Sequence, residues 1–124
     1  MDTHIALWMI NEHEKLSPSA KALLLNDEYK LFISIVSLWE VVLKVSLGKL
    51  SELDGGANAL LLKIESLPIE ILNITTDHIK IIESLPFIHR DPFDRILVAT
   101  AMASDMTILT ADSNIPKYNV PCVW

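Results

Sequence analysis

Short β-rich runs that alternate with stretches of helical periodicity restrict this chain more than any other feature of its sequence. Residues 31–35 (LFISI) are β-branched and aromatic, with a strand's length. Residues 69–74 (IEILNI) alternate apolar and polar, and residues 107–110 (TILT) are short and β-rich. Residues 120–124 (VPCVW) predict a last strand, which Pro121 assigns to an edge. Helical patterns fill the intervals. Ser17-Pro18 supplies a cap and an N1 proline before residues 19–26, and Ser37 opens a helix through Leu47 that Gly48 ends. Residues 57–67, 76–85 and 93–104 follow, the last opened by Asp91-Pro92. Strands separated by helices predict one α/β domain over residues 1–124, with a mostly parallel sheet flanked by helices. Ligands of such sheets gather at the carboxyl ends of the strands.

The chain has 124 residues, of which 51% are hydrophobic, enough for one packed core and too many for a disordered chain. A net charge of −6 argues against a protein that coats nucleic acid through a basic surface, so any attraction to a polyanion must be local or carried by a metal. The single cysteine, Cys122, allows no internal disulfide and no zinc site, which fits a reducing, cytoplasmic setting. The apolar stretch at residues 5–10 is too short for a membrane span or a signal core.

Several acids fall where a strand hands over to a helix. Glu40 lies three residues after Ser37, Asp94 three after Asp91, Asp112 directly follows TILT, and Asp2 stands ahead of residues 4–10. Each has an ordinary structural explanation: Ser37 and Glu40 form a capping-box pattern, Asp91 suits an N-cap, and Asp112 suits a turn. Together they mean more. Two carboxylates ~4 Å apart repel by about 4 kcal/mol at an effective dielectric near 20. A parallel-sheet rim that collects three or four of them needs protons or a cation. Oxygen donors without Cys or an obligatory His point to Mg²⁺ or Mn²⁺, which activate water and neutralise phosphate charge.

Asp2-Thr3-His4 with Trp8, ISIVSLWEVVLKVSLGKL, HRDPFDRILVATA and LTAD occur in an order that resembles PIN-domain proteins, in particular the VapC-like ribonuclease toxins of type II toxin–antitoxin pairs. The resemblance implies a PIN-like three-layer sandwich and a Mg²⁺- or Mn²⁺-dependent endoribonuclease. Its acidic quartet maps onto Asp2, Glu40, Asp94 and Asp112, with Asp94 opening the family's D-x-x-[IL]-[AV]-x-x-A pattern. Asp91 then caps the helix or supports the site, and Thr110 or Ser34 bonds a ligand or a metal-bound water. The resemblance also implies a small antitoxin partner and a homodimer. Family members begin with an apolar central strand that ends at the first Asp. Here only Met1 precedes Asp2, so the first strand is expected to be truncated or absent.

Around these motifs Lys44, Lys49, His89, Arg90 and Arg95 are candidate contacts for RNA phosphates. Against that, Lys44 follows Glu40 at i+4, a common surface pair, and Arg95 suits a solvated helix face. Residues 60–62 with Ile64 and Leu67 are too apolar for one helix stripe, and suit either a dimer or antitoxin surface or a buried helix. Two other functions compete. A receiver-like phospho-acceptor would need an Asp ending a middle strand and a Lys after a late one, and neither is present. A PIN-like domain that has lost catalysis and binds a partner protein fits the short N-terminus.

Overall fold

The computed structural model describes residues 1–51 and 53–124. Helix α1 (Thr3–Asn11) and a 3-10 turn (His13–Lys15) lead to α2 (Pro18–Leu24), which Ser17 caps through Ala20 N. Strand β1 (Leu31–Ser34) runs into α3 (Ile35–Ser46), and α4 (Gly56–Glu65) precedes β2 (Ile69–Leu72). The chain closes with α5 (Thr76–Ser84), α6 (Pro92–Ser104), β3 (Ile108–Leu109), a 3-10 turn (Ile115–Tyr118) and β4 (Cys122–Val123). Pairs of helices precede β1, β2 and β3, only a 3-10 turn separates β3 from β4, and the four strands fall within the segments the sequence pattern predicts.

All strand pairing is parallel, but the strands form two ribbons rather than one sheet. β1 pairs with β2 from Leu31↔Ile69 to Ser34↔Leu72, and β3 pairs with β4 at Ile108↔Cys122 and Leu109↔Val123. Met1 and Asp2 span the gap with their backbone nitrogens. The Met1 nitrogen donates to the Phe32 carbonyl at 2.8 Å, and the Asp2 N–H donates to the Leu109 carbonyl at 3.0 Å. Successive amides that point to opposite neighbours are the pattern of a strand between two others. Met1–Asp2 therefore bridges β1 and β3 through its backbone nitrogens, and among the described residues no strand precedes α1. The strands form two ribbons where the sequence pattern predicts one sheet.

Packing holds the halves together. One cluster gathers Leu97, Val98, Ala101, Ile108, Ile115 and Val120 around α6 and β3. A second joins α1, β1, α3 and α4 through Ala6, Ile33, Val41, Leu60 and Ile64, and a third sets Ile5 and Ala20 against Leu109. Burying an aliphatic side chain contributes about 1.5–3 kcal/mol, so these contacts, more than the short ladders, fix the strand positions.

Two local expectations change. Helix α3 starts at Ile35, because the Ser34 hydroxyl accepts from Val36 N and caps it earlier than Ser37 would. Ser37 is buried inside the helix, so its capping-box pattern with Glu40 has no terminus to cap. In α4, Leu60 and Ile64 are buried while Leu62 is 67% exposed, so the segment is amphipathic rather than wholly interior.

Candidate active site at an acidic rim

The split between the ribbons places Asp2 at the start of α1, with its side chain in the interior. Asp2 is the N-cap of α1: its Oδ1 accepts from Ile5 N at 2.9 Å, and its Oδ2 accepts from the Thr110 hydroxyl. A carboxylate at that position also meets the positive end of the helix dipole. Thr110, just past β3, is buried and accepts the Asp112 N–H at 3.0 Å. One hydroxyl therefore ties the loop after β3 to the start of α1, and links Asp2 with Asp112. The Asp112 side chain closes its own turn, with Oδ1 accepting from Asn114 N at 2.6 Å.

Glu40 comes from α3 and is 5% exposed. Its Oε2 accepts the hydroxyl of Thr3, the residue next to Asp2, and its Oε1 pairs with Lys44 at 2.6 Å, one helical turn on. The i+4 spacing of Glu40 and Lys44 makes the pair, and burial keeps it from the screening that weakens surface pairs.

Asp94 lies in the first turn of α6, which Asp91 caps by accepting from Phe93 N at 2.8 Å and Asp94 N at 3.3 Å. The Asp94 side chain remains free of the cap, and its Oδ2 meets His89 Nε2 at 2.9 Å. His89 Nδ1 meets the Tyr118 hydroxyl at 2.8 Å, and that oxygen already accepts from His89 N and from Arg95. With its acceptor role filled, the Tyr118 hydroxyl donates to Nδ1, which leaves the proton on Nε2 to be donated to Asp94. Burial pushes the Asp94 carboxyl above its ordinary range. The His89 bond pulls it back, and the negative charges of Asp91 and Asp112 raise it further.

The four acids are linked in pairs: Thr3, next to Asp2, donates to Glu40, Thr110 connects Asp2 with Asp112, and the charge of Asp112 raises the Asp94 carboxyl. Among the described residues, however, no three His, Cys, Asp or Glu side chains converge closely enough to hold a metal ion. Protein donors engage each carboxylate instead: Thr110, Lys44 with Thr3, His89, and Asn114 N. The donor set suits a hard divalent cation in chemistry, but it is not drawn together around one.

The other candidates divide. Lys44 is engaged by Glu40. Arg95 is neither a solvated residue nor an RNA contact: it is buried, and its guanidinium donates to the carbonyls of Pro86, Ile82 and Leu85 and to the Tyr118 hydroxyl, with Phe87 against its face. The reason is geometric, since α5 ends against α6 with carbonyls that need donors. Lys49 and Arg90 are exposed, and Ser34 is engaged as a helix cap. Thr3 and Tyr118 are the residues that sequence reasoning missed. Thr3 carried a signal, a hydroxyl beside the first acid of the rim; Tyr118 carried none.

A family model described as PIN domain matches residues 1–121. Among solved structures, a chain of VapBC2 from Rickettsia felis, crystallised bound to a DNA fragment from their promoter, is similar in fold. The TM-score is 0.71 at 20% identity, over 98% of this chain and 93% of that one. No curated protein matches the sequence.

Proposed function

Because the chain belongs to the PIN-domain family, we propose that it is a divalent-metal-dependent endoribonuclease, the toxin of a toxin–antitoxin pair. The observation that carries this reading is that two buried threonine hydroxyls link Glu40, Asp2 and Asp112, while Asp94 lies near enough to Asp112 to feel its charge. Four anions gathered by a fold are costly unless a cation compensates them. Mg²⁺ or Mn²⁺, when bound, would lower the pKa of a water and neutralise charge on the scissile phosphate.

The chain's own residues have separable parts in this reading. Asp2, Glu40 and Asp94 would hold the ion, and Asp112 would hold a second one or orient water. Thr110 fixes one Asp2 oxygen, and Thr3 orients Glu40. His89 holds Asp94 through Nε2, with Tyr118 setting its tautomer. Lys44 supplies positive charge to the rim. Lys49 and Arg90 are the exposed cations suited to RNA phosphates.

For partners we propose an RNA substrate, a small antitoxin protein that covers the rim, and a second copy of the chain. The R. felis neighbour is itself a VapBC2 complex. The exposed apolar side chains Trp39 (60%) and Val42 (41%) of α3, with Leu47 (60%) at its C-terminal cap, support a protein partner. Homogeneous protein should cut RNA in Mn²⁺ and lose cleavage on EDTA addition and on Asp94→Asn. Cleavage that survives either change would defeat the reading. A second reading, a PIN domain that only binds protein, is favoured by the carboxylates being held by protein donors, and it predicts no cleavage under any metal.

A further inference from the structure

Both oxygens of the buried Glu40 carboxylate are taken, Oε2 by the Thr3 hydroxyl and Oε1 by the Lys44 ammonium at 2.6 Å. The donors at the other acids are of a different kind. Asp2 accepts from the Thr110 hydroxyl and Ile5 N, Asp112 from Asn114 N, and Asp94 from an imidazole whose Nδ1 is filled by Tyr118. Of the side chains that engage the four acids among the described residues, Lys44 is the one that brings a full positive charge. It stands at the boundary of the site, its side chain 29% exposed against 6% for Glu40. A compact charge on a stem of four carbons changes partner without moving the helix that carries it. Two incoming ligands compete for this pair: a divalent cation for Glu40 Oε1, and a phosphate for the ammonium. Either one alone strands the other charge in a half-dry site, which is costly. Each therefore favours the arrival of the other, and the coupling is reciprocal.

We infer that Lys44 is a phosphate-binding residue held in reserve: its ammonium passes from Glu40 to an RNA phosphodiester when a divalent cation takes Glu40. The inference rests on the nuclease reading for its two ligands. In the resting chain the pair occupies both charges, so Glu40 is withheld from a cation and Lys44 from RNA. The exchange gives a chain of net charge −6 a local attraction for a polyanion that is switched on by the cation. Lys49 is exposed and stands outside the exchange, so any contact it makes with RNA is the same with or without the cation.

The test is the salt dependence of binding to a short labelled single-stranded RNA, read by fluorescence anisotropy. Each phosphate contact adds about 0.7 to the log–log slope on a single strand. In EDTA, Glu40→Gln frees Lys44 without any cation and keeps an oxygen for Thr3. Its slope should steepen by about 0.7, or about 2.6-fold in affinity over a roughly fourfold change in salt. Lys44→Met alone should leave the EDTA slope unchanged, and Glu40→Gln combined with Lys44→Met should return it to the parent value. In a titration without RNA, Lys44→Met should bind Mn²⁺ about threefold or more tighter than the parent, and Lys49→Met should not. An unchanged slope for Glu40→Gln, a steepening that survives in the double variant, or RNA bound by neither the parent nor Glu40→Gln overturns the inference. So does an EDTA slope lowered by Lys44→Met, or equal Mn²⁺ affinity of Lys44→Met and the parent. Saturable Mn²⁺ binding with the wrong slopes removes the exchange alone. No saturable Mn²⁺ site in any chain removes the nuclease reading and the exchange with it. The Glu40→Gln arm keeps the inference falsifiable even if Lys44→Met misfolds.

Discussion

Replacing Arg95 with methionine separates an internal clamp from an RNA contact. Methionine keeps much of the aliphatic volume and removes four hydrogen bonds, to the carbonyls of Ile82, Leu85 and Pro86 and to the Tyr118 hydroxyl. Buried and part-buried groups left without donors cost about 1 kcal/mol each. Relief of the guanidinium's own desolvation offsets part of that loss. A net destabilisation of about 3 kcal/mol follows, and at roughly 3–4 °C per kcal/mol for a chain of this size the midpoint falls by about 10 °C. Urea and thermal unfolding followed by circular dichroism read it directly, with an unchanged urea m-value. Arg95→Lys should recover little, because one ammonium cannot reproduce a fork that spans three carbonyls. The salt dependence of RNA affinity should stay as in the parent chain, whereas Arg90→Ala should flatten it. A midpoint within ~2 °C of the parent, with a flattened salt dependence for Arg95→Met, would refute the reasoning and return Arg95 to the RNA surface.

Three further outcomes follow. The Asp94 carboxyl is raised, chiefly by burial, so between its ordinary and its folded value the native state binds more protons than the unfolded state, and ionisation lowers stability as pH rises. Asp94→Asn should therefore melt no lower than the parent at pH 7, with its advantage fading towards pH 4, while Mn²⁺-dependent cleavage is lost. A lower melting point for the variant at pH 7 would contradict the burial argument. Burial also drives the Met1 ammonium from 8.0 down to about 6, against the pull of Asp2, so the unfolded state binds more protons in that window and stability should rise between pH 6 and pH 8, by about 2 kcal/mol. Acetylating Met1 should remove the rise, and melts across that window check it. Thr3→Val takes the hydroxyl from buried Glu40 and should lower stability by roughly 1–2 kcal/mol, read by urea unfolding, with Thr3→Ser restoring it.

The helices were legible wherever side chains announce their ends. Ser17-Pro18 and Asp91-Pro92 cap α2 and α6 as the sequence predicts, because capping is a local interaction between neighbours in the chain. Ser37 misled for the same local reason: Ser34 offers an equal cap one turn earlier, and burial of Ser37 decides between them. The acids of the rim could be listed in advance, since strand-to-helix junctions place them. Their partners could not. Thr110 and Asp2 are 108 residues apart, and His89 meets Tyr118 across 29. Arg95 shows the limit most clearly. Its sequence position suits a surface helix, and only the arrival of α5 turns it inward.

The central proposal, that a divalent cation draws the acids of the rim together, is most directly tested by titrating the chain with Mn²⁺ and counting free ion by electron paramagnetic resonance. The account predicts saturable binding that weakens by about tenfold or more in each of Glu40→Gln, Asp94→Asn and Asp112→Asn. Binding unchanged in all three variants, or no saturable site in the parent chain, would contradict it.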